Sequence, residues 1–181
     1  MNDLTQYLAI REHIKTGDLL QWQSNSLLGR LIRAKTQKDR RLYETVHDIN
    51  VNHSSLAVRM IEESTGDLRV FTTESLEKGT VPAFLSVRLQ QFDGKAWWYP
   101  LKEEWDSARI VISRRAFEYL GIGYDYWAII KYLFNRTPKL DSKHLYCNEY
   151  CCLCWGMELD TAKSPNWLPN LEIFKNPVRI L

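Results

Sequence analysis

Between residues 54 and 74, two runs of strand-forming residues are separated by one turn. "SSLAVRMI" (Ser54–Ile61) and "LRVFTTE" (Leu68–Glu74) flank Thr65-Gly66. Their β-branched and aromatic residues suit a pleated, half-buried surface. A hairpin here fixes antiparallel pairing and commits the middle of the chain to a sheet. Further strands are read at "LLQW" (Leu19–Trp22), after the Gly17-Asp18 turn, at "AFLSVRL" (Ala83–Leu89), and at "KAWWYPL" after Asp93-Gly94. Helical patterns precede and follow this block. Leu4, Leu8 and Ile14 make an amphipathic first segment, and Ser24-Asn25-Ser26 offers caps for "LLGRLIRAK". Glu103–Gly121 reads as a helix with Gly121 as its C-cap. "YDYWAIIKYLFN" (Tyr124–Asn135) reads as another, and "NEYCCLCWGM" as a short buried one with no breaker before Gly156. Residues 37–50 and 136–143 read as polar loops, and the proline-containing tail as loop-like. The expected class is α+β, an antiparallel sheet packed against helices, in one domain over residues 1–181.

Charge and hydropathy narrow the partners. A net charge of +2 argues against nucleic acid or an anionic membrane as the main partner. The basic cluster "RLIRAKTQKDRR" (Arg30–Arg41) reads as a solvated helix face and loop, with a phosphate or lipid-headgroup patch as the alternative. Asp3, Arg11 and Glu12 interrupt the N-terminal apolar residues, so no export signal is expected. No apolar run is long enough for a transmembrane segment. The expected location is therefore cytoplasmic, where thiols stay reduced.

That matters because all four cysteines lie within "YCNEYCCLC": Cys147, Cys151, Cys152 and Cys154. A structural zinc site usually takes two separated ligand pairs, whereas this C-x-x-x-C-C-x-C pattern lies in one piece. His144 would be the nearest further ligand. Disulfides within one short helix are geometrically poor. The remaining reading is one functional cysteine and three packing cysteines. Cys147 follows a polar segment at the expected helix start. Unpaired amides and the helix dipole there favour a thiolate.

A nucleophilic cysteine needs a base, normally histidine. The candidates are His13, His47, His53 and His144. His53 stands at the entry to the first hairpin strand, a rigid mount for a base. The alternative is an exposed loop-to-strand histidine. The base in turn needs an acceptor on its second nitrogen. Glu74 ends the partner strand and could supply it, or could be a solvated carboxylate. Thr72 and Thr73 are weaker candidates.

Read in order, "TGDLLQW…SLLGRLIR", "NHSSLAVR", "VFTTES…GTV", "GIGYDYWAI" and "YCNEYCC" resemble the YiiX/YebB-like permuted papain-fold cysteine hydrolases. These belong with the NlpC-type cell-wall peptidases and are related to lecithin–retinol acyltransferase. The likeness covers roughly residues 16–156, and the histidine precedes the cysteine, as in the permuted branch. It implies a permuted papain-like fold with Cys147 as nucleophile, His53 as general base and acid, and Glu74 as orienting group. Asp18 and Tyr124 match motif positions and are given structural or cleft roles. Asn148 stands where the family has Ser, and Ser75 where it has Ala.

The resemblance implies a thiol-dependent hydrolase that cleaves an amide bond through an acyl-enzyme, with no cofactor and no metal. Expected substrates are a peptide, a peptidoglycan fragment or a small acyl compound. The alternatives are a lipid or acyl-group hydrolase or acyltransferase of the same fold, and a non-catalytic binding module.

Overall fold

The computed structural model describes residues 2–39, 49–125, 144–159 and 163–181. Six strands form one antiparallel sheet: β1 (Leu19–Ser24), β2 (His53–Ile61), β3 (Leu68–Leu76), β4 (Gly79–Phe84), β5 (Gly94–Tyr99) and β6 (Val178–Arg179). Their spatial order is β4-β3-β2-β1-β5-β6. The expected hairpin is present, with Leu56 opposite Thr73 and Ala57 opposite Thr72.

Alternation along the strands feeds two cores. Leu19, Leu56, Val58 and Tyr99 face one side. There they meet Ile112 and Ala116 of α4 (Arg109–Glu118), and Tyr150, Cys151, Cys152, Cys154 and Trp155 of α5 (Cys147–Trp155). Leu20, Trp22, Ala57 and Trp98 face the other side, against Tyr7 of α1 (Thr5–Ile10) and Leu85 and Leu89 of α3 (Leu85–Gln91). Period-two side-chain placement sends neighbouring residues to opposite faces, so the sheet is covered on both. Helix α2 (Leu27–Asp39) follows β1.

"AFLSVRL" is not a strand. β4 ends at Phe84 and the chain turns into α3. The run fits both periods, because its apolar residues recur at two and at four. Burial selects four: Leu85 and Leu89 are sealed in the core while Val87 between them is exposed. Gly121 is likewise not the helix cap. α4 closes at Tyr119, and Gly121, at φ 81°, donates its N–H to Thr80 of β4. Residues Glu103–Ala108 are a 3-10 turn rather than α-helix. Pro165–Asn170 in the tail is also a 3-10 turn. Tyr124 lies in a two-residue strand (Gly123–Tyr124) paired in parallel with His144–Leu145. The rest of the expected helix from Tyr124, the 136–143 loop and most of the 37–50 loop lie outside the described residues.

Asp18 ties the start of β1 to its surroundings. It is 1% exposed and accepts from Lys15 N, Trp98 Nε1, Leu101 N and Arg109 Nη1 at 2.8–3.0 Å. Burial raises its carboxyl pKa, and the donors oppose that shift. Asp18 is a structural hub, as its turn position suggests.

Candidate active site

α5 begins at Cys147 after Tyr146 in extended conformation (φ −95°, ψ 166°). Its first i−4 bond runs from Tyr150 N to Tyr146 O, so the amides of residues 147–149 have no helical acceptor. The far end closes at Gly156, φ 80°. Met157 N bonds Cys152 O and Gly156 N bonds Leu153 O, the paired bonds of a Schellman motif. The apolar run of α5 and this stop fix where the helix sits. That placement carries Cys147 to the edge of the sheet at the start of β2.

His53 is the first residue of β2 and pairs across with Trp22 of β1. Its side chain is 12% exposed, and Cys147 is close enough to act on the charge of its ring. Its Nε2 is 2.9 Å from Glu74 Oε2, which leaves Nδ1 for the thiol. Burial lowers the His53 pKa, but the bonds to Cys147 and Glu74 and their charges outweigh it and raise the pKa to about 9.

Glu74 is 1% exposed. Burial raises its carboxyl pKa, yet His53 and Arg88 hold it below the usual carboxylate value. Arg88, from α3, forks onto the carboxylate with Nε to Oε1 at 2.9 Å and Nη2 to Oε2 at 3.2 Å. Its guanidinium lies over the rings of Trp22 and Phe92, at 5.1 and 5.0 Å. A fork of this kind fixes both oxygens of the carboxylate. The two threonine alternatives are occupied elsewhere: Thr72 donates to Ser55 Oγ at 2.8 Å, and Thr73 to Leu56 O at 3.4 Å.

Arg88 escaped the sequence reading. It lies fourteen residues beyond Glu74, in the segment read as a strand. No local pattern announces such a pair. Only the helical period of Leu85 and Leu89 would have signalled that residue 88 leaves the sheet.

Of the other histidines, His13 and His144 are exposed, and His47 lies outside the described residues. Cys147 is 5% exposed, against 0% for Cys151, Cys152 and Cys154. Burial pushes the Cys152 and Cys154 thiols up to about 12, and Cys151 well above its ordinary value. At neutral pH, iodoacetamide is expected to modify Cys147 well before the other three. Peptide mass spectrometry checks this, and first labelling at Cys152 or Cys154 contradicts it.

Beside the pair runs a cleft of about 450 Å³. Its walls include Leu28, Gly29 and Ile32 of α2, His53, Arg88 and Tyr124. Tyr124 thus takes the cleft position its motif suggests. Cys147 is not on the cleft wall; His53 is. Asn148 braces α5. Its Nδ2 donates to Lys163 O at 2.9 Å, and its Oδ1 is 3.7 Å from the Cys147 thiol.

A six-stranded antiparallel sheet covered by helices on both faces makes a mixed α/β fold, consistent with the papain type. One solved structure that it matches is the crystal structure of metalloprotein yiiX from Escherichia coli O157:H7. The two share a TM-score of 0.61 over 91% of this chain and 96% of that one, at 14% identity. The fold is YiiX-like. No protein-family model matches the chain, and no curated protein matches it.

Because that neighbour is a metalloprotein, the donor set here was tested for a metal. Among the described residues, no group of three or more His, Cys, Asp or Glu side chains is arranged to hold an ion. Glu74 is engaged by Arg88 and His53, and Cys151, Cys152 and Cys154 pack in the core. The described residues do not fit a metal centre.

Proposed function

We propose that the chain is a thiol-dependent hydrolase that cleaves an amide bond, of peptide or peptidoglycan type, through Cys147, His53 and Glu74. The observation that carries this reading is His53 at 2.9 Å from the buried carboxylate of Glu74, with Cys147 near enough to help raise the pKa of the ring. In this reading the sulfur attacks the substrate carbonyl, and backbone amides at the start of α5, those of Cys147 and Asn148, receive the developing oxyanion. Imidazolium His53 protonates the leaving amine. Neutral His53 then takes a proton from water as the acyl-enzyme is hydrolysed. Glu74 keeps the Nε2 proton in place and stabilises the imidazolium, while Arg88 holds Glu74.

The 91% share of this chain that matches the neighbour supports taking residues 1–181 as one domain. A cytoplasmic location is part of the proposal. Among the described residues, no helix is long and apolar enough to cross a membrane. The test is an acyl-enzyme trap: an activated amide or ester panel followed by intact-protein mass spectrometry. An acyl adduct on Cys147 supports the reading. No adduct with any member, in protein whose Cys147 still alkylates, overturns it.

The His53 shift sets a pH limb. Leaving-group protonation needs the imidazolium, so kcat/KM is expected to fall as pH rises through about 9. The same raised pKa makes the folded state bind the proton more tightly than the unfolded one. Its stabilising contribution is therefore fully present below about 6.5 and lost as pH rises through about 9. A pH–rate profile and thermal melts at matched pH check both. A basic limb near the ordinary histidine value would show that Glu74 and Cys147 do not perturb the ring.

A further inference from the structure

α2 faces the wrong way for an ordinary surface helix. Gly29, Ile32 and Thr36 are its buried residues, on one face at i, i+3 and i+7. Directly opposite, Leu27, Leu31 and Ala34 form an outward stripe, with Leu28 at its edge. Leu27 is 77% exposed, Leu31 51% and Leu28 46%. A soluble helix normally presents polar residues there. The charges are one-sided as well. From Leu27 to Lys38 the helix carries Arg30, Arg33, Lys35 and Lys38 and no acid; the first is Asp39, with Arg40 and Arg41 beyond. Among the described residues, the hydrogen bonds of Arg30 and Arg33 run to backbone oxygens, Asn25 O at 3.0 Å and Ser24 O at 2.8 Å, which carry no countercharge. The small net charge of the whole chain hides this local excess.

We propose that α2 docks on an anionic lipid surface. Its leucine stripe would enter the headgroup–acyl boundary while the flanking cations pair with lipid phosphates. Outward leucines with basic flanks are the composition of a helix that lies in a membrane interface. The placement gives the docking a consequence. Leu28, Gly29 and Ile32 of the same helix line the cleft that His53 also lines, so a docked α2 places that cleft beside the lipid. The cleft's two exposed acids, Glu77 and Asp93, come from other elements. Docking rests on the helix alone. Its consequence for substrate, an amide or acyl bond on a membrane-borne molecule, rests on the hydrolase reading.

The test is co-sedimentation of the full chain with phosphatidylcholine vesicles, with and without phosphatidylglycerol. Binding is expected with the anionic vesicles only, weakening between about 0.1 M and about 1 M salt as the charges are screened. Leu27→Ser/Leu31→Ser is expected to lower the partition coefficient at least about tenfold. Both leucines face solvent, so the melting temperature should hold. Cys147→Ala is expected to bind like wild type, which separates this proposal from the catalytic one. No sedimentation of the wild-type chain with anionic vesicles would overturn it. So would a concentration-dependent dimer that the leucine variant abolishes, since the stripe would then be a self-interface.

Discussion

Replacing Cys147 with alanine is expected to remove turnover and covalent adduct formation together, by at least about 10⁴-fold in kcat. In the proposed mechanism the Cys147 sulfur is the group at the start of α5 that forms the acyl bond. Cys151 lies one turn on but is sealed in the core with its thiol pKa well above the ordinary value. The fold should hold, because the side chain is small and lies at the helix end rather than in its packed middle. His53→Ala is expected to come close behind. It removes the proton donor for the leaving group and leaves Glu74 and Arg88 facing a gap. The measurement is the single-turnover rate of acyl-enzyme formation, with melting temperature alongside. Residual turnover in Cys147→Ala above about one part in a hundred would place the nucleophile elsewhere.

Much of this site was legible because each element announces itself locally. The hairpin is marked by two β-rich runs around Thr65-Gly66, and its register brings residue 74 back toward residue 53. α5 is marked by an unbroken apolar run that stops at Gly156, where the positive φ suits glycine. What the sequence hid is long-range direction. "AFLSVRL" satisfies two periods at once, and only the cover supplied by the sheet face selects the helix. Because that segment was assigned to the sheet, Arg88 was invisible as a partner of Glu74. The leucines of α2 show the same limit: their spacing predicts a helix, but spacing alone does not say which face meets the protein. The structure turns Leu27 and Leu31 outward.

Glu74→Gln tests how the buried carboxylate works. The carboxylate receives His53 at Oε2 and Arg88 at both oxygens. A glutamine has one acceptor oxygen, and its orientation has two options. With the oxygen toward His53, the Nε2 proton keeps its acceptor and the tautomer survives, but the amide NH₂ meets Arg88 Nε, donor against donor. With the NH₂ toward His53, the ring must offer a lone pair at Nε2, and Nδ1 then carries the proton that should be free to exchange with sulfur. The first orientation keeps more bonds, since Arg88 Nη2 also donates on that side. Turnover is therefore expected to fall by about 10²-fold, short of the roughly 10⁴-fold loss that follows when a triad histidine is held in the wrong tautomer. Removing the negative charge also takes away part of what raises His53, so the basic limb of kcat/KM should move below about 9. Glu74→Ala should cost more, because the ring loses its acceptor and Arg88 is left beside a cavity. The effects of Glu74→Gln and Cys147→Ala should not add, since the groups act as one unit. Wild-type rates and an unmoved limb in both Glu74 variants would remove Glu74 from the mechanism. With Thr72 and Thr73 hydrogen-bonded away from His53, the pair would then act without a third member from β3.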